Sequence, residues 1–354
     1  MKTHRNIINI AFNIYFVFTL VLQSLPVPGL ATLAVSVFQG CSKQACSQDG
    51  NFTEEPLKTS VKSAVHYLSD TPIRSIDALV FNNDILQTID CYQRFDSPEE
   101  TLNIGSCGGS KIFFLCANAR WNKEDWMHAS SFNKIHQMKV NLESEDSSYP
   151  IMCAEISMKA GDSKADVKLE RLSSMVGIRS ISCNFKGRPY NGETITDARA
   201  YLININGTSS LTPFNSDQVE RIINHRELIH DDIKAFNDSS LVISHLGIIG
   251  LDTIYPDTEL ICYPNTCVYE DAGTQFTRLV VEGKISGHTW YWPIDINRNA
   301  ADAGGRERNM RYMYDIVITR KGTKDPNIPI NLDMAEIAFE AERWTEKEEY
   351  KVAF

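Results

Sequence analysis

The nine cysteines and eight histidines of this 354-residue chain are the side chains able to ligate a metal or supply a nucleophile, and their spacing argues against most such chemistry. His66, His128, His136, His225, His230, His245 and His288 never fall at HExxH or a similar interval, and no pair of CxxC units exists, so no zinc site is expected. DINRNA, from Asp295, begins like a calcium loop. Its sixth position is Ala300 and its twelfth Arg306, where such a loop needs Gly and Glu. His230-Asp231-Asp232 could mimic an acid/base cluster, but a solvated helix end accounts for it. No GxSxG, P-loop or GxGxxG is present. Neither catalysis nor a cofactor or metal is expected.

The cysteines point instead to an exported protein. Cys262 and Cys267 flank Tyr-Pro-Asn-Thr, a turn-like spacer that can close a small disulfide loop in an oxidising compartment. Cys116 and Cys183 lie in apolar strand patterns and read as buried free thiols. Cys41 follows Gly40 as in a bacterial lipoprotein cleavage site, although Phe38 and Gln39 depart from the usual residues there. Lipidation of Cys41 would leave an even number of cysteines. Upstream, Lys2, His4 and Arg5 precede an apolar run from Ile7 to Leu22, which reads as an export signal. Asn9, Asn13, Pro26 and Pro28 interrupt it and weigh against one uncleaved membrane span.

A net charge of −10, with no basic stripe, excludes a nucleic-acid surface. The length suits two domains behind a leader. Residues 1–40 are expected to be a lipoprotein-type signal and 41–62 a tether, with domains at 63–187 and 188–354. The inner boundary is placed at the Gly187, Pro189, Asn191-Gly192 turn cluster. IDALVFNN from Ile76, its hairpin return ILQTIDCYQRF, and KIFFLCANA after Gly108-Gly109 read as strands, as do TRLVVEGKISG and TWYWPIDIN. Trp121, Trp126, Phe132 and Ile135 suggest short helices or a packed loop, and a helix is expected from Asp217 to about His230. Many short strands with polar turns predict an all-β fold of sandwiches with a few short helices.

The C-terminal stretch is the most suggestive. Tyr314, Ile316 and Ile318, then Ile337, Phe339 and Ala341, alternate with more polar residues. Tyr350, Val352 and Phe354 carry the two-residue period to the end, where polar, frayed residues are usual. Such a strand calls for a partner sheet.

Taken together, RSIDALVFNNDILQTID, GSCGGSKIFFLCANA, VKLERLSSMVGIRSI with Arg171 as its basic residue, and WYWPIDIN followed by RERNMRYMYDIVITRKGTKDP resemble the fimbrillins, the type V pilins of Bacteroidales, in order and over most of the mature chain. The resemblance implies two transthyretin-like β-sandwich domains and a structural subunit of surface fimbriae that supports adhesion. It also implies a lipidated precursor held at the cell outer membrane, a protease that removes the segment with the first strand, and other fimbrial subunits as partners, joined by strand exchange. Carried over without gaps from Phe81-Asn82, the family's processing arginine falls on Lys62, with Ser63 after it; Arg74-Ser75 is the second choice. The donor strand falls on Tyr350, Val352 and Phe354 within a polymerising segment of about 336–354. The strand-like extension beyond Trp344 favours a stalk subunit over an anchor or tip adhesin. A different reading is a surface glycan-binding lipoprotein, with Trp121, Trp126, Trp290 and Trp292 stacking on sugars.

Overall fold

A computed structural model describes residues 60–160, 162–212, 219–265, 267, 270, 275–296, 308–328 and 335–343. The first half comprises β1 (Ser60–Leu68), β2 (Ser75–Asn82), β3 (Ile89–Asp96), β4 (Thr101–Cys107), β5 (Lys111–Ala117), α1 (Lys123–Met127), α2 (Phe132–Ile135), β6 (Lys139–Asn141), β7 (Met152–Met158), β8 (Lys164–Lys168) and β9 (Glu170–Arg171). The second comprises β10 (Ser174–Cys183), β11 (Ile195–Ile203), β12 (Ile205–Asn206), β13 (Thr208–Ser210), β14 (Ile222–Ile223), α3 (His230–Lys234), β15 (Ile243–Ile249), β16 (Leu260–Cys262), β17 (Arg278–Ile285), β18 (His288–Asp295), β19 (Met310–Ile318) and β20 (Ala335–Arg343). Among the described residues the fold is all-β with three short α-helices.

Alternation explains the first sandwich. On β2, Ile76, Ala78 and Val80 point one way and Leu79 and Phe81 the other; on β5, Phe113, Leu115 and Ala117 oppose Ile112, Phe114 and Cys116. Both strands are therefore buried on both faces, and they sit centrally in a sheet of order β3-β2-β5-β7-β9. One face meets a sheet of order β4-β1-β8 through Val65, Tyr67, Leu102, Ile104 and Val167. The other face lies under the helices. Phe132 meets Phe81 edge-on at 5.4 Å, and Trp126 sits 6.4 Å from Phe114. α1 is held by a capping box in which Asn122 and Asp125 each accept from the other's backbone N–H, both at 2.9 Å.

The second sandwich pairs sheets β16-β10-β19-β20 and β15-β11-β17-β18. β10 runs parallel to β19, from Met175 opposite Arg311 to Cys183 opposite Ile318. β10 joins the sheets that follow it, so the turn cluster at Gly187 to Gly192 links two sheets of one sandwich. The chain passes from the first pair of sheets to the second at Leu172-Ser173, between β9 and β10.

The expected helix from Asp217 to His230 is absent from the described part of that segment, residues 219–230, down to its last residue. Ile222 and Ile223 form β14 against Ile205 and Asn206, Asn224 has φ 51°, and α3 begins only at His230. Burying Ile223 against β12 wins over the weak helical periodicity. The β17–β18 turn agrees with its sequence: Ser286 and Gly287 both have positive φ, 51° and 76°, as a two-residue hairpin with matched twist needs.

Gly322 is required by close approach. A Cβ there would meet the carbonyl oxygen of Tyr291, whose backbone exchanges hydrogen bonds of 2.8 and 3.1 Å with Thr323. Gly322→Ala should cost about 1–3 kcal/mol by forcing this bridge apart, read as a lower urea midpoint with unchanged m-value; an unchanged midpoint would refute the packing account.

Candidate assembly site

β1 is not an edge. It lies between β4, antiparallel from Ser60 opposite Cys107 to His66 opposite Thr101, and β8, parallel from Ala64 opposite Lys164 to Leu68 opposite Lys168. Ser63, Val65 and Tyr67 point into the sandwich and are buried, whereas Lys62 and Leu68 are exposed. The Tyr67 hydroxyl donates to the Pro98 carbonyl at 3.2 Å. Burying Val65 and Tyr67 contributes roughly 1.5–3 kcal/mol each, and each ladder hydrogen bond about 0.5–1.5 kcal/mol. Without β1, two strand edges and an apolar slot lined by Leu102, Ile104, Val80, Phe113, Leu115 and Val167 would remain.

The link from β1 to β2 crosses from one sheet to the other. Ser69 forms a local turn, its hydroxyl donating to the Thr71 carbonyl at 2.8 Å and accepting from the Thr71 N–H at 3.2 Å. Asp70 then receives both terminal nitrogens of the buried Arg171 guanidinium, at 2.8 and 2.9 Å. Arg171 also donates to Asn309 Oδ1 at 3.2 Å, so it joins this link to the start of β19. Asp70→Asn keeps the shape but removes the charge, and should lower stability by about 1–2 kcal/mol. Chemical denaturation across a salt series checks this, since so buried a pair should keep its effect at high salt.

Arg74 closes the link. Its side chain is exposed, lies 4.2 Å over the Tyr149 ring and is 3.8 Å from Asp146. Its backbone is tied at both ends: its N–H donates to Asn118 Oδ1 and its carbonyl accepts from Ser97 N–H, both at 2.8 Å. Ser75, which follows, is buried.

The other expected site residues fall elsewhere. Cys41, Tyr350, Val352 and Phe354 lie outside the described residues. Cys262 and Cys267 are both buried, and desolvation pushes the free Cys262 thiol up to about 12. β20 pairs along its length with β19, from Ala335 opposite Ile318 to Arg343 opposite Met310, so residues 336–343 of the expected polymerising segment belong to this chain's own sheet, at its edge. Of the candidate sugar-stacking residues, Trp126 and Trp292 are fully buried, and Trp121 packs on Trp126 at 4.7 Å. Trp290 is covered by Lys324, 3.5 Å from its ring centre. Among the described residues no cluster of three His, Cys, Asp or Glu could hold a metal, and no helix is long and apolar enough to cross a membrane.

Sequence reasoning missed β1, treating its first residues as tether. The signal was there but weak: Val65 and Tyr67 alternate with Ala64 and His66, yet Ser63 fills an inward slot and Leu68 an outward one.

Paired sandwiches with a central first strand define the class of protein. No family model matches the chain and no curated protein is similar to it in sequence. Solved structures are similar in fold. A candidate cell adhesion protein from Bacteroides eggerthii aligns with TM-score 0.61 at 14% identity, over 80% of this chain and 96% of its own. One from Parabacteroides distasonis gives 0.60 at 13%, over 81% and 99%. A fimbrilin from Porphyromonas gingivalis gives 0.58 at 12%, over 81% and 98%. The chain has the fold of the fimbrillins, as its sequence motifs predict.

Proposed function

We propose that this chain is a structural subunit of surface fimbriae, exported as a precursor lipidated at Cys41 and polymerised by strand exchange once its N-terminal segment is removed. The observation that carries the reading is the position of β1: a central strand, joined to the rest of the sandwich by one short link, whose loss opens a slot with two free edges. A neighbour's extended segment bearing apolar residues two apart would restore both ladders and refill the slot. Tyr350, Val352 and Phe354 supply that period. Residues 336–343 pair within their own sheet, which supports a donor that begins after Arg343.

The position of β1 bears on the choice between the two processing sites. A cut at Lys62-Ser63 would leave Ser63, Val65 and Tyr67 in the slot, whereas a cut at Arg74-Ser75 releases the whole of β1. This supports Arg74-Ser75 as the productive site, although the family's processing arginine, carried over without gaps, falls on Lys62. The subunit acts by adhesion and assembly, without catalysis, at the cell outer membrane and in the fimbrium. Glycan stacking has little support, since the candidate tryptophans are core or covered.

N-terminal sequencing of subunits sheared from fimbriae tests the reading. A start at Ser75 agrees with it; a start upstream of Ser60 in assembled fibres would show that β1 stays in place and defeat strand exchange through this slot.

A further inference from the structure

Cys116 on β5 and Cys153 on β7 stand directly opposite each other in the antiparallel ladder. Both are buried, and their sulfurs are 3.4 Å apart. We propose that they are a disulfide site, and that the pair oxidises to a cross-strand bridge. Directly opposed residues in an antiparallel pair have Cα atoms about 4.5–5.5 Å apart, within the roughly 4.4–6.8 Å that a disulfide spans. Small rotations about χ1 therefore suffice to bring the sulfurs to bonding distance. The two thiols lie on the helix-covered face of the sheet with Phe114, where the buried Asp77 of β2 also stands opposite Cys116.

The reaction needs a two-electron oxidant, here a disulfide-bearing one. The Cys153 thiolate, from the less buried residue, attacks the oxidant's disulfide and expels one thiolate. The Cys116 thiolate then attacks Cys153 Sγ, breaking the mixed disulfide and releasing the second thiolate. The two protons from the cysteines pass to the two released thiolates, so the oxidant leaves fully reduced. Access is limited once the sheet has closed, which places the reaction during folding or in a local opening of β7.

The bond would join β5 to β7 in the sheet facing the one that contains β1, on its far side from the β1 slot. The inference does not depend on the fimbrial reading, since it needs only the fold and an oxidant.

The full chain is unfolded and refolded with oxidised glutathione, alkylated under denaturing conditions without reductant, and mapped by peptide mass spectrometry. The expected result is a linked pair of peptides bearing Cys116 and Cys153, lighter by two hydrogens than the reduced pair, with both alkylation sites lost. Adding dithiothreitol before alkylation should restore both. Recovery of both cysteines as alkylated thiols or separate glutathione adducts overturns the proposal, as does linkage of Cys116 to any other cysteine. Wild-type protein carries the test, so a poorly folding variant cannot obscure it.

Discussion

Arg74→Ala should abolish fibre growth while leaving a folded, exported subunit. Arg74 contributes a surface guanidinium, 60% exposed, and its backbone hydrogen bonds to Asn118 and Ser97 survive the substitution. Loss of its contacts with Tyr149 and Asp146 should cost well under about 1 kcal/mol, as for other exposed pairs. On the proposed reading, however, a processing protease that cuts after arginine loses the only arginine between Cys41 and β2. With β1 in place the slot stays full, and an incoming strand would have to displace Val65 and Tyr67 together with ladder bonds on both sides. That cost sums to several kcal/mol before the donor gains anything. Wild-type precursor treated with the protease should give fibres by electron microscopy, and the variant only monomers. Normal fibres from the variant would show that a cut after Arg74 is not required, and a start at Ser63 would mean that fibres grow with Ser63, Val65 and Tyr67 still in the slot, against strand exchange through it.

How much of this was legible in the sequence follows from where the burial lies. β2, β5, β17 and β18 announced themselves because their residues are apolar on one or both faces and end in Gly or Asn turns, so local pattern and tertiary role coincide. The pairing of β10 with β19 is not legible in the sequence, because β19 lies more than 100 residues away and no local signal marks a parallel pairing. β14 lies in a segment whose Val219, Ile222, Ile223 and Leu228 fit one face of a helix, and so short a series does not outweigh the pairing with β12. The candidate site divides in the same way. Cys116 was recognisable as buried, but that Cys153 faces it depends on the register of β5 against β7, which only the fold defines. Arg171 stood out by its motif, yet its partner Asp70 is 101 residues distant.

A distance of 118 residues likewise separates Glu145 from Tyr263, and this pair contributes to how stability depends on pH. Glu145 follows the 3-10 turn after β6 in the first half, and Tyr263 follows β16 in the second. The Tyr263 hydroxyl donates to Glu145 Oε1 at 3.0 Å and the Ile151 N–H to Oε2 at 3.1 Å, with the carboxyl fully enclosed. Desolvation dominates and raises its pKa to about 7, with nearby Asp146 adding repulsion. The two hydrogen bonds and Arg120 only partly oppose this. An acid whose folded pKa lies above its unfolded value near 4.5 contributes fully to stability below about 4.5, and that contribution is lost as pH rises through about 7. The interval is worth about 3 kcal/mol. Glu145→Gln mimics the protonated side chain, accepting from Ile151 and donating to the Tyr263 oxygen, and removes the titration. Between pH 5 and pH 8 the wild-type protein should therefore lose about 2.5 kcal/mol relative to the variant, part of the loss having occurred below pH 5, a difference in melting midpoint on the order of 5 °C. Groups such as Asp315, held low by Arg179, titrate equally in both proteins and cancel. Parallel melting curves for the two proteins across this range would mean that water reaches Glu145 and holds it ionised, and that the Tyr263 contact is not the enclosed one described.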